Sequence, residues 1–138
     1  VETKIIEVAG ATGDYHTDLN AKARACVSTI TSEAEKFNYG FVHVKAVDDA
    51  GHDKDLQKKV LYLEKVDEML TTLISELKAK RNPNHEYIFV LTGDHTTPIS
   101  TGDHTFEPVC FTITSFSALL KELGDLDEES AKKREEIV

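Results

Sequence analysis

An α/β domain built on a parallel sheet is the fold class this sequence predicts, and three observations predict it. Strand-like and helix-like segments alternate from residue 4 to residue 92 in the order strand, helix, strand, helix, strand. The second and third strand-like runs, rich in β-branched and aromatic residues, end in loops that carry Gly, Asp and His. The composition, 40% hydrophobic and 30% charged over 138 residues, is that of an ordinary soluble domain large enough for one core. Right-handed crossovers would bring the C-terminal ends of parallel strands to one edge, where open α/β sheets bind their ligands.

The elements follow in order. Lys4 to Ala9 reads as a short strand, and Gly10, Gly13 and Asp14 supply turn chemistry after it. A helix is expected over about 19–36, with Asp18 or Asn20 as its cap and Ala21, Ala25, Ile30 and Ala34 at helical spacing before Gly40. Phe41 to Val47 predicts a second strand, and Asp48-Asp49-Ala50-Gly51-His52 a loop. Leu56, Val60, Leu63, Leu70, Ile74 and Leu77 recur at three- and four-residue intervals, predicting an amphipathic helix over 56–80 capped by Asp53 or Asp55. Asn82-Pro83-Asn84 ends it, and Glu86 to Thr92 predicts a third strand running into Gly93-Asp94-His95. Val109 to Thr114 predicts another strand, and 116–123 a short helix. From Gly124 to Val138 charged residues dominate, with Glu128/Lys132 and Glu129/Lys133 at i,i+4 spacing, which reads as a solvated helix or a mobile tail. The expected organisation is one domain over 1–123 followed by a charged segment over 124–138.

Charge and composition exclude several functions. With 25 acidic and 16 basic residues the net charge is −9, so there is no basic excess to draw in nucleic acid or anionic lipid. No apolar run exceeds the five residues Tyr87 to Leu91, far short of a membrane span. Cys26 and Cys110 form neither a disulfide framework nor a zinc-knuckle pattern, which suits a reducing, cytoplasmic setting.

Chemistry concentrates in three segments: Asp48-Asp49-Ala50-Gly51-His52, Thr92-Gly93-Asp94-His95-Thr96-Thr97-Pro98 and Gly102-Asp103-His104-Thr105-Phe106-Glu107-Pro108. One Asp-His pair in a loop is weak evidence, since such pairs usually serve as caps and turns. Three within 57 residues are different: carboxylates crowded at strand ends repel unless cations neutralise them, and imidazole with carboxylate suits Zn, Mn, Fe or Co. His43, flanked by Val42 and Val44, reads as a satisfied core or face-lining histidine rather than a ligand, and Asp67, in line with Leu63, Leu70 and Ile74, either as a partly exposed edge of the apolar stripe or as a carboxylate that accepts hydrogen bonds from the 93–97 loop or a ligand histidine.

These segments, with Gly10-Ala11-Thr12-Gly13, Thr17 and Lys22 and the Lys58-to-Asp67 stretch, resemble the C-terminal half of the cofactor-independent phosphoglycerate mutases. The resemblance is to their archaeal-type branch within the alkaline phosphatase superfamily, and it runs from about Gly10 to Phe111. It implies a partial three-layer, alkaline phosphatase-like α/β domain. It implies an isomerase of glycolysis that interconverts 3-phosphoglycerate and 2-phosphoglycerate through a phosphoserine, on two divalent metal ions (Mn, Zn, Co or Mg) and without 2,3-bisphosphoglycerate. Carried over by position, Asp48, His52 and His104 would hold one metal, and Asp94 and His95 the second. Independently of the resemblance, Thr96 and Thr97 are candidates to hydrogen-bond ligand carboxylates. The serine nucleophile and one further Asp ligand have no counterpart here, so the resemblance implies a fragment cut at both ends and inactive alone.

The sequence departs from the family at Glu107-Pro108-Val109-Cys110, where Asp-Pro-Val-Pro is usual, and lacks a later Gly-Leu-Gly-Arg-type element. Asp49 and Asp103 have no ligand counterpart and are assigned to loop hydrogen bonding. Lys22 could hold phosphate or stand solvated at its helix start. Two other readings remain open: a phosphatase or phosphodiesterase of the same superfamily, or a metal-free structural fragment.

Overall fold

Residues 3–124 are described in a computed structural model of the chain. They form helices α1 (Leu19–Ile30), α2 (Ala46–His52) and α3 (Leu56–Lys80) and strands β1 (Ile88–Thr92) and β2 (Phe111–Ser115), and residues 116–124 are again helical. Nearly all of the charged 124–138 segment lies outside the described residues. The chain divides into two compact units. The first comprises the chain up to Asn82 together with His95–Glu107, and the second comprises Pro83–Asp94 and the chain from Pro108. No helix among the described residues is long and apolar enough to cross a membrane.

In the first unit α1 and α2 both pack on α3. Leu19, Ala23 and Met69 form the buried cluster, with Val42, Val44, Val66, Leu70 and Leu73 against it. Of the alternative caps, Asp18 takes the α1 start by accepting from Ala21 N at 2.8 Å, and Asp55 takes the α3 start by accepting from Lys58 N at 2.9 Å. The expected helix over 19–36 ends at Ile30. Thr29 and Thr31 turn their hydroxyls onto the carbonyls of Ala25 and Val27, a local alternative to continued helix, and Lys36 adopts a positive φ of 54°.

Two expected strands are not strands here. Phe41 to Lys45 runs with strand-like alternation, Val42 and Val44 toward the core and Phe41 and His43 exposed, but pairs with no neighbour among the described residues. Residues 4–8 are likewise unpaired, with Ile5 89% exposed. A strand exists through its ladder, and hydrophobic pattern alone cannot supply the partner. The expected 48–52 loop is instead helical, because Ala46, Ala50 and Gly51 pack inward and Asp48 and Asp49 favour the first turn of α2.

In the second unit β1 and β2 pair antiparallel, from Ile88 opposite Ser115 to Thr92 opposite Phe111. The α/β class stands as a partial domain of helices and a small sheet, but this pair departs from the parallel expectation. No helix joins β1 to β2, and a helix is the usual crossover between successive parallel strands. Phe116 is fully buried after β2 and donates its N–H to the Tyr87 carbonyl at 2.7 Å, while Glu86 accepts from both the N–H and the hydroxyl of Ser117.

Candidate metal centre

Helix α2 presents Asp48 and His52 four residues apart, hence on one face. The return segment His95–Glu107 brings two more histidines to that face. It is pinched by an antiparallel bridge between Thr96 and Thr105, whose hydroxyls meet at 2.7 Å and whose backbone bond runs from Thr105 N to Thr96 O at 3.0 Å. The pinch sets the rings of His95 and His104 side by side, with centroids 3.6 Å apart.

Two glycines allow the approach. A Cβ at Gly51 would collide with the carbonyl of Thr97 and come within 2.9 Å of its side chain, so only glycine lets α2 touch the loop there. Gly102 turns with a φ of 69°, and its carbonyl lies 3.0 Å from His52 Nδ1, which fixes the ring.

The outcome is a cluster on the first unit. One ligand atom from each of Asp48, His95 and His104 falls within 4.8 Å of the others. His52 joins them: its Nε2 lies 3.1 Å from His104 Nε2 and 3.4 Å from Asp48 Oδ1, and His104 Nε2 lies 3.5 Å from the same oxygen. Donors around a tetrahedral metal with bonds of about 2.1 Å stand ~3.4 Å apart, so Asp48, His52 and His104 already have the spacing a metal would impose. One carboxylate oxygen and imidazole nitrogens also form a donor set that transition metals accept, and the residues fit such an ion.

Asp48 is held from two sides. Thr97, 5% exposed, donates its hydroxyl to Oδ1 at 2.5 Å, and Lys45 donates to Oδ2 at 2.9 Å. Partial burial opposes ionisation of Asp48, but the Thr97 hydroxyl and the Lys45 ammonium outweigh it and hold the carboxyl down at about 2. Hydrogen bonds to Asp49 and Asp48 push the Lys45 ammonium well above the ordinary lysine range. Thr97 is fixed in turn by Lys59 of α3, which donates to its carbonyl at 2.6 Å.

Other expected residues fall elsewhere. His95 stands in the same cluster as the Asp48 group rather than apart from it, while Asp94 ends the first segment of the second unit. Thr96 bonds Thr105 and Glu107, and Thr97 is the threonine that reaches the Asp48 carboxylate. Asp103 accepts from the backbone N–H of His104 at 2.8 Å, as a loop-bonding residue should. Lys22 neither stands solvated nor faces the cluster: it donates to the carbonyls of Thr12 and His43, tying two segments together.

Asp67 is corrected. It is exposed and shows no carboxylate bond to the 93–97 loop. The buried face of α3 runs through Tyr62, Met69 and Leu77 rather than Leu63, and Asp67 lies about 130° round the helix from its centre. Lys45 and Lys59 were not foreseen, although Lys45 with acids three and four residues on is visible in the sequence.

Comparison with known proteins decides the family. A model described as "Metalloenzyme superfamily" matches residues 1–135. The chain belongs to that superfamily. Among its curated relatives, a protein of Methanococcus vannielii named 2,3-bisphosphoglycerate-independent phosphoglycerate mutase is 37% identical over 133 residues, which is 96% of this chain and 30% of the relative. One from Methanocaldococcus jannaschii named 2,3-bisphosphoglycerate-independent phosphoglycerate mutase 1 is 35% identical over 129 residues, 94% of this chain and 29% of the relative. The solved structure of the PH0037 protein from Pyrococcus horikoshii superposes with a TM-score of 0.66 at 29% identity, covering 79% of this chain and 26% of that one. The chain thus spans about 30% of the length of the curated relatives it matches.

Proposed function

We propose that these residues are the metal-holding part of the catalytic domain of a cofactor-independent phosphoglycerate mutase, which converts 3-phosphoglycerate to 2-phosphoglycerate without 2,3-bisphosphoglycerate. The convergence of Asp48, His52, His95 and His104 supports this reading most directly, because carboxylate and imidazole meet at ligand spacing on a superfamily chain whose relatives carry that name. Asp48, His52 and His104 would hold one divalent ion, and Asp94 and His95 would serve a second, with Mn, Zn, Co and Mg the candidates. When bound, such ions supply Lewis acidity toward a serine hydroxyl and toward phosphoryl oxygens.

The chain's own residues prepare the centre. Thr97 holds Asp48 Oδ1 in place, the Gly102 carbonyl orients His52, and the Thr96–Thr105 bridge fixes the separation of His95 and His104. Preorganised ligands need no rearrangement as charge accumulates on a transferred phosphoryl group. The resemblance puts the serine nucleophile outside this sequence, so the chain alone would bind but not turn over substrate. The proposed setting is the cytoplasm, with a small phosphorylated acid as the partner.

Calorimetry tests the reading. Chelator-stripped chain is loaded with Mn2+ or Zn2+ and titrated with 3-phosphoglycerate, alongside Asp48→Ala and His104→Ala. Binding heat that depends on metal and disappears in both variants is expected. Equal heat in the parent and the variants would contradict it.

A further inference from the structure

The two oxygens of Asp48 have different partners. Oδ1 accepts from Thr97 and faces His52 Nε2 and His104 Nε2 at 3.4 and 3.5 Å. Oδ2 accepts from Lys45 Nζ at 2.9 Å, and that ammonium is itself held by Asp49 Oδ1 at 2.8 Å. Lys45 immediately precedes α2 and reaches back over its first turn to both acids.

We propose that Lys45, anchored by Asp49, is a positioning residue that occupies Oδ2 of Asp48 and so reserves Oδ1 as the single metal-facing oxygen. The inference rests on the metal reading above. A carboxylate rotates over a broad two-fold torsion and can offer both oxygens to a cation. A second oxygen on the metal would fill the coordination position a substrate oxygen needs. An ammonium has three donors, enough to bridge both carboxylates and still meet water, and it offsets the repulsion between acids at adjacent positions of one turn. The same arrangement gives Asp49, which has no ligand counterpart, a task.

Lys45 is 45% exposed along its side chain, and ion pairs of that exposure contribute little to folding. Its removal should therefore alter the centre more than the fold. A competing account has the opposite sign: a fixed positive charge beside a cation site repels the metal, so removing the charge would tighten binding.

The experiment measures Co2+ affinity of the 138-residue chain by competition with a chromophoric chelator, together with the visible Co2+ spectrum and the thermal midpoint. Lys45→Met is expected to bind ~10–100-fold more weakly, the usual range when an outer partner of a metal ligand is lost, with a less intense spectrum as coordination number rises. Lys45→Gln, which keeps a donor but not the charge, is expected to stay within about threefold of the parent, and Asp49→Asn to shift the same way as Lys45→Met by less. Unchanged or tighter binding in both Lys45 variants would overturn the positioning role while leaving the metal centre standing. A parent that binds no Co2+, or binds it equally after Asp48→Ala, would overturn the metal reading and this role with it. If Lys45→Met does not fold, Lys45→Gln and Asp49→Asn decide: loss in Asp49→Asn with retention in Lys45→Gln supports the role, and no change in Asp49→Asn overturns it.

Discussion

Thr97 links the packing of the first unit to its chemistry. Its methyl and carbonyl press on Gly51, its carbonyl accepts from Lys59, and its hydroxyl donates to Oδ1 of Asp48, the oxygen proposed to face the metal. Replacing it with valine keeps the shape and removes only the hydroxyl, leaving Oδ1 without its fixed donor. Thr97→Val is expected to weaken Mn2+ or Zn2+ binding by ~10–100-fold, measured by chelator competition, while the circular dichroism spectrum stays unchanged. Affinity equal to the parent's would show that the hydroxyl does not orient the ligand. At this scale the grouping was legible: four of the five residues proposed to hold metal, Asp48, His52, His95 and His104, come together. Their partners were less legible, because Thr96 and Thr97 look equivalent in sequence and only the bridge to Thr105 turns one away from Asp48.

Helices α2 and α3 meet at a short turn latched to the 12–17 loop. Tyr15 donates its hydroxyl to Asp53 Oδ2 at 2.8 Å, Lys58 sits 4.4 Å from the Tyr15 ring centre, and Tyr62 of α3 donates to the Tyr15 carbonyl. Burial and the hydrogen bond to Asp53 push the Tyr15 phenol well above the ordinary range. A raised folded-state pKa gives stability that is complete below the unfolded value of about 10 and is lost as pH rises through the folded value. In an alkaline absorbance titration a late-ionising tyrosine is expected, and Tyr15→Phe should remove that component. A titration without a late component would contradict the latch.

The elements divide by what they require. Helix α3 was readable over its whole length because its bonds are internal and its caps local. The 41–45 run kept its alternation but not its ladder, and α2 was hidden because Asp-Asp and Gly read as loop signals until Ala46, Ala50 and Gly51 are seen packing. Asp67 failed for a related reason: the buried face of α3 is chosen by α1 and α2, and it turned away from Leu63.

At the scale of the molecule, the α/β class was legible from alternation while the antiparallel pairing of β1 and β2 was not, since pairing depends on which segments meet rather than on what each contains. The candidate centre lies within one unit and draws its proposed ligands from a helix and a returning loop, an assembly held by hydrogen bonds among the chain's own residues. That is the central claim, and metal content tests it most directly. Plasma mass spectrometry of the purified 138-residue chain, with Asp48→Ala and His104→Ala as controls, should find on the order of one equivalent of divalent metal in the parent and none in either variant. Metal-free parent protein, with a thermal midpoint unmoved by added Mn2+ or Zn2+, would contradict it.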